Sequence, residues 1–97
     1  MYPKAEKKFE ESWKRLEERL KKLGVTKGLI DRAKLFSKEY IEGYTEKYFA
    51  EASPEFREKA QELIIDDALR MAEKWITGIT AVFAPEKAEK LLEAMHL

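Results

Sequence analysis

Asp67 has the most unusual position of any charged residue in the sequence, because it lies in line with apolar neighbours. It shares one face of a predicted helix with Met71 and Trp75, at spacings of four residues. Burial disfavours the charged form of a carboxylate, so a buried Asp67 is suited to act as a general base or to anchor a donor group of a ligand. The alternative is a carboxylate at the edge of the core, partly exposed or hydrogen-bonded to Ser37 or Tyr40.

A row of tyrosines follows the same helical spacing in the preceding segment. Tyr40, Tyr44 and Tyr48 are four residues apart and therefore lie on one helix face. They are candidates to line an aromatic pocket in which their hydroxyl groups orient a ligand. Alternatively, they form a stripe at the edge of the core, with their hydroxyl groups in water.

Four further hydroxyl residues lie beside the apolar stripes and are candidate hydrogen-bonding groups of a pocket. They are Ser37, Thr45, Thr77 and Thr80. Within helices such side chains more often bond to the carbonyl group of the preceding turn, and this is the alternative for all four.

Together these patterns predict a small-molecule pocket between the second and third helices. The residues expected to line it are Ser37, Tyr40, Tyr44, Asp67, Met71 and Trp75. The two tryptophans of the sequence, Trp13 and Trp75, are expected in the hydrophobic core, with stacking against a ligand as the alternative.

His96 is the only histidine, and it is the penultimate residue of the sequence. A single histidine does not make a histidine-rich metal site, and the absence of cysteine excludes thiolate chemistry. A triad of Ser37, His96 and Asp67 can be written down, but no motif of a nucleophilic hydrolase supports it. The sequence therefore predicts neither a metal site nor a cofactor, and it favours a protein that is not an enzyme.

Four amphipathic segments must position these side chains. They cover approximately residues 3–23, 26–51, 53–83 and 85–97, and a proline stands near the start of three of them. The connections are only a few residues long, which makes successive helices antiparallel neighbours. We therefore predict an all-α fold in a single domain, 1–97: an up-and-down antiparallel helical bundle with three longer helices and a shorter C-terminal fourth.

The third segment carries two apolar stripes, which predicts a central helix that is buried on more than one side. Gly24 follows the first segment as a natural C-terminal capping residue. Gly43 and Gly78 interrupt the second and third segments, where a kink is an open alternative to a continuous helix. Gly78 is also expected to lie opposite Gly28, where two backbones can approach closely.

The charge balance limits the possible partners. Lysine and arginine together number 19, as do aspartate and glutamate, so the net charge is zero. Nucleic-acid-binding proteins normally carry a basic surplus, so no nucleic-acid partner is expected. No apolar run approaches the roughly 18 residues of a membrane span, and the start of the chain does not have the pattern of a signal peptide. We therefore expect a soluble protein, cytoplasmic or recombinant, with no membrane partner.

The sequence resembles a de novo designed, idealised helical bundle. The resemblance is carried by Ser53-Pro54 and Pro85-Glu86 at helix starts, and by the absence of asparagine, with Gln61 as the only glutamine. It is also carried by acidic-to-basic pairs four residues apart: Glu10–Lys14, Glu11–Arg15, Glu17–Lys21 and Glu18–Lys22. The resemblance implies a thermostable bundle, and a thermophile protein has a similar composition.

Three functions remain open from the sequence. The first is a binding module with a small-molecule pocket between the second and third helices. The second is an interaction protein that forms a homodimer or docks a partner helix, because the second and third segments carry more apolar surface than the other two can cover. The third, with the least support, is a designed proton-transfer catalyst with Asp67 as its base.

Overall fold

The computed structural model describes residues 1–95, which form four α-helices joined by short connections. The helices are α1 (Pro3–Lys22), α2 (Lys27–Phe49), α3 (Pro54–Phe83) and α4 (Pro85–Met95). No strand occurs among these residues. The predicted all-α bundle of three longer helices and a shorter fourth is therefore confirmed. His96, and with it the triad considered above, lies outside the described residues.

Local capping explains where the helices begin and end. Gly24 has a φ of 84°, and its N–H donates to the Lys21 carbonyl group while the Val25 N–H donates to that of Leu20. These two bonds form a Schellman motif, which confirms the predicted C-terminal capping role of this glycine. At the start of α3 the Ser53 hydroxyl accepts the backbone N–H three residues later, at 3.2 Å.

The N-terminus of α1 is capped by side chains of α3 rather than by its own sequence. The Tyr2 N–H donates to Oε1 of Gln61 at 2.9 Å, and the Lys4 N–H donates to Oε2 of Glu58 at 3.0 Å. Gln61 is buried, so this bond satisfies both a buried amide oxygen and an N–H that α1 cannot pair internally. The only glutamine of the chain therefore has a structural role that its sequence position did not indicate.

Helix α3 is the central element, because α1, α2 and α4 all pack against it. Its predicted burial on more than one side is therefore confirmed. It runs parallel to α1, since bonded residues of the two helices keep a constant separation of 54 along the chain. These pairs are Lys4–Glu58, Lys8–Glu62 and Arg19–Glu73.

The core lies chiefly between α1 and the α2–α3 pair. Helix α1 contributes five buried residues, and Trp13 is only 2% exposed. The five are Ala5, Phe9, Trp13, Leu16 and Leu20. The Trp13 Nε1–H finds no acceptor among the described residues, so only apolar contact offsets the cost of burying this donor. The largest fully buried side chains are Phe9, Trp13, Leu16, Leu20, Ile30, Ile41, Ile65, Ile76 and Leu91.

Ion pairs connect α1 to α2. Glu10 lies 2.8 Å from Nζ of Lys34 and 2.9 Å from Nζ of Lys38, and Lys38 also bonds to Glu6 at 3.0 Å. The hydrogen bonds from Lys34 and Lys38 lower the pKa of Glu10, and the bonds to Glu10 and Glu6 raise the pKa of Lys38. Of the four acidic-to-basic pairs predicted within α1, one lies within ion-pair distance, at 3.5 Å: Glu17–Lys21.

The helices are continuous through their internal glycines. Gly43 lies within α2 and Gly78 within α3, and no helix break occurs at either. A Cβ atom built on Gly28, Gly43 or Gly78 meets no heavy atom within 4 Å. The expected close approach of backbones at Gly28 and Gly78 is therefore wrong, because neither residue packs against another chain segment.

This open space gives a testable prediction for Gly43. Gly43→Ala is expected to raise the free energy of unfolding by about 0.5–1 kcal/mol, because alanine is the better helix former and its methyl group meets no neighbour. Gly24→Ala is the matched control and should lower it by about 1–2 kcal/mol, because its φ is left-handed. Urea unfolding measures both variants. If both variants lowered the free energy of unfolding equally, a regular helix at Gly43 would be contradicted.

Candidate functional site

The predicted site residues lie along the groove between α2 and α3. Two adjoining cavities of about 220 and 380 Å³ occupy this groove, and Tyr40 lines both. The first cavity contains Ser37, Met71 and Trp75 in its lining, whereas the second contains Tyr44 and Asp67. The helical spacing thus brought all six residues to one groove, but it did not bring Ser37 and Asp67 into the same cavity.

The groove faces away from α1. Glu58 and Glu62 of α3 bond to α1. Asp67 and Met71 follow these two residues by nine positions, which is two and a half turns of an α-helix, and therefore lie on the opposite face. Helix α1 thus covers one side of the α2–α3 pair and leaves the other side uncovered.

Asp67 is exposed, which agrees with the interpretation of an exposed carboxylate at the edge of the core and not with a buried one. No helix lies over this part of α3, so the carboxylate keeps its contact with water. It forms no hydrogen bond with Ser37 or Tyr40 in the described part of the chain; its charged neighbour in the cavity lining is Lys59. Asp67 is therefore not the buried carboxylate on which the proton-transfer interpretation depends.

The hydroxyl groups beside the apolar stripes are engaged by their own helices. The Ser37 hydroxyl donates to the Ala33 carbonyl group at 2.9 Å, although this residue lines the smaller cavity. Thr45, Thr77 and Thr80 likewise donate to the carbonyl group four residues earlier, at 2.7–2.8 Å. The alternative interpretation is thus confirmed for all four residues.

Aromatic rings form a continuous lining along the groove. The Tyr44 ring centroid lies 6.4 Å from that of Tyr40 and 5.9 Å from that of Phe49, and Phe49 lies 5.5 Å from Phe56. Further along, Phe36 and Trp75 meet edge-to-face at 5.2 Å. We call this surface the open face. Its members are Phe36, Tyr40, Tyr44, Phe49, Phe56, Leu63, Met71 and Trp75.

Several members of the open face are far more exposed than their size predicts. The exposed fraction is 45% for Phe36, 53% for Phe56, 50% for Met71 and 81% for Leu63. Monomeric soluble proteins rarely expose large apolar side chains in one contiguous strip unless that surface binds something. The sequence indicated this excess apolar width, but not which side of α2 and α3 would remain uncovered.

A larger cavity lies at the end of the bundle, and sequence reasoning missed it. This end cleft has a volume of about 610 Å³ and lies where the last turns of α3 meet the α1–α2 connection and α4. Trp75 separates it from the groove, because this residue lines both spaces. The length of the third segment was the signal that could have indicated this cleft. Because α3 is longer than α1 and α2, its last turns extend beyond them and must pack against another part of the chain.

The described residues were also compared with the requirements of a metal site and of a membrane span, and the sequence with known proteins. Within residues 1–95 no group of three or more acidic or histidine side chains is placed to hold a metal ion. No helix in the same range has the length and apolar character needed to cross a membrane. No known family model matches the sequence, and neither a characterised protein nor a solved structure shows significant similarity to it. Its function must therefore be argued from its own residues.

The exposure of Asp67 predicts a small effect of its removal on stability. Asp67→Asn is expected to change the free energy of unfolding by less than about 0.5 kcal/mol, because the carboxylate has no buried partner to lose. Ile65→Ala is the control on the same helix and should cost about 2–5 kcal/mol, because Ile65 is fully buried. Urea unfolding compares the two. A loss at Asp67 as large as that at Ile65 would show that the carboxylate is structural.

Proposed function

We propose that the chain is a protein-binding module and that its open face docks an amphipathic α-helix of a partner protein. The observation that supports this most strongly is the strip of exposed aromatic and aliphatic side chains along the α2–α3 groove. Helix-in-groove binding uses such a surface, with apolar side chains of the incoming helix spaced three and four residues apart.

The arrangement of the helices supports a helical occupant. Helices α2 and α3 are antiparallel neighbours, α1 lies over one side of the pair, and α4 packs only at the far end of α3. A helix over the open face would complete a four-helix arrangement. The groove from Phe56 to Trp75 follows α3 for about 28 Å, at 1.5 Å per residue, which matches a partner helix of about 19 residues.

The rim of the open face indicates the charge of that partner. Lys59, Arg70 and Lys74 are exposed and share the α3 face of Leu63, at spacings of four, seven and eleven residues. Asp66 and Asp67 interrupt this row, which leaves the α3 side of the rim with one excess positive charge. A partner helix with acidic residues beside its apolar stripe is therefore favoured. These charges select partner and register, while apolar contact supplies most of the affinity.

A small molecule in the groove is the second candidate, favoured by the 380 Å³ cavity in which Tyr40, Tyr44, Lys59 and Asp67 lie together. Two observations make a small molecule a weaker candidate for the groove than a partner helix. The cavity is at the low end of the roughly 300–1,000 Å³ of small-molecule sites. The hydroxyl group of Ser37, which lines the adjoining cavity, already donates to its own helix.

The proposal predicts binding of a synthetic amphipathic helix. The probe is a fluorescein-labelled 19-residue peptide (roughly the groove length) with leucines at helical spacing and glutamates beside them. We expect saturable binding in fluorescence anisotropy. Leu63→Lys and Met71→Lys should each weaken it by about tenfold or more, whereas Leu35→Lys should not, because Leu35 is exposed but lines neither groove cavity.

Each other outcome counts against the proposal. A peptide with lysines in place of the glutamates should bind more weakly, and equal binding would remove the role of the basic rim. Absence of any peptide binding would overturn the docking function. If light scattering instead shows a dimer that Leu63→Lys dissociates, the open face binds a second copy of this chain rather than a partner helix. Circular dichroism checks that each variant remains helical.

A further inference from the structure

The end cleft has the size of a ligand site and shares only Trp75 with the open face. Its volume of about 610 Å³ falls within the usual range for small-molecule pockets. Its walls come from four parts of the chain: the α1–α2 connection, the first turns of α2, the last turns of α3, and α4. The packing of α4 back along α3 brings these four segments together, so the fold itself forms the site.

The interior of the cleft is apolar. Val25, Leu29 and Ile79 contribute side chains from three different segments, and Leu91 of α4 is 1% exposed. Phe83 also lines the cleft but is 81% exposed, which places an aromatic ring at the rim. An apolar ligand body in the cleft would cover part of this ring and remove further apolar surface from water.

All the charge at the cleft is positive. Arg32 of α2 and Lys87 of α4 line it, and no aspartate or glutamate does. Both side chains are exposed, and neither forms an ion pair within residues 1–95. Their sequence neighbours Asp31 and Glu86 are exposed and do not contribute to the lining. The cleft therefore offers an anionic group cations on two walls and no competing carboxylate in the lining.

The start of α2 adds to this preference. Thr26 is the N-cap of α2 but its side chain makes no capping hydrogen bond, and the first turn of the helix contains no acidic residue. Thr26 and Gly28 both line the cleft, and a Cβ atom on Gly28 would meet open space. The N–H groups that a helix leaves unpaired in its first turn favour an anion here.

We propose that the end cleft binds a small amphiphilic carboxylate. The apolar body of the ligand lies against Ile79 and Leu91, and the carboxylate lies between Arg32 and Lys87 at the mouth. This function is independent of helix docking, because only Trp75 is shared by the cleft and the open face.

Three ligands of equal chain length test the proposal: decanoate, decanol and decylamine, each used below the concentration at which it forms micelles. We expect isothermal titration calorimetry to show binding of decanoate to one site, weaker binding of decanol, and weakest binding of decylamine. Replacing both cations, with Arg32→Gln and Lys87→Gln together, should weaken decanoate binding roughly tenfold and leave decanol binding unchanged.

Two further variants locate the site. Ile79→Trp places a larger side chain in the cleft and should weaken both decanoate and decanol, whereas Leu63→Lys on the open face should affect neither. Equal binding of all three ligands, or a double variant that binds decanoate as tightly as the unmodified chain, would overturn the role of the cations. No binding of decanoate, or binding lost with Leu63→Lys but retained with Ile79→Trp, would overturn the site itself.

Discussion

The structure depends on the burial of one long helix by three shorter ones. Helix α3 spans 30 residues, whereas α1 spans 20, α2 spans 23 and α4 spans 11. Its two apolar stripes need cover on more than one side and along its whole length. Helix α1 covers one side, α2 a second, and α4 only the end. The open face and the end cleft are the two places where this cover is incomplete, and both proposed functions arise from them.

The two sides of the α2–α3 pair illustrate different uses of apolar surface. On the α1 side, buried apolar residues, interhelical ion pairs and the Gln61 cap all agree, so this side specifies the fold. On the other side, Leu63 and Met71 are exposed, and apolar side chains in water do not stabilise the fold. Glycine at position 43 also costs helix stability without a packing reason. Features that do not stabilise the free chain are expected where a surface serves binding.

Much of the fold could be predicted from the sequence because its signals are local. Ser53, Pro54 and Gly24 mark helix ends through bonds to nearby backbone groups, and helical spacing placed the six candidate residues along one groove. The sequence could not decide between a buried and an exposed Asp67, because periodicity identifies an apolar stripe but not which neighbouring helix covers it. The end cleft depends on where α4 folds back along α3, and this long-range packing leaves no local pattern.

The central claim, that the chain leaves its open face uncovered, is tested most directly by the two tryptophans. Trp13 of α1 is 2% exposed in the core, whereas Trp75 is half-buried between the open face and the end cleft. Fluorotryptophan NMR, with Trp75→Phe to assign the resonances, reports solvent contact as a shift between H₂O and D₂O. We predict a solvent shift for Trp75 alone, independent of protein concentration. Equal shielding of both tryptophans, or a Trp75 shift that disappears as concentration rises, would contradict the account.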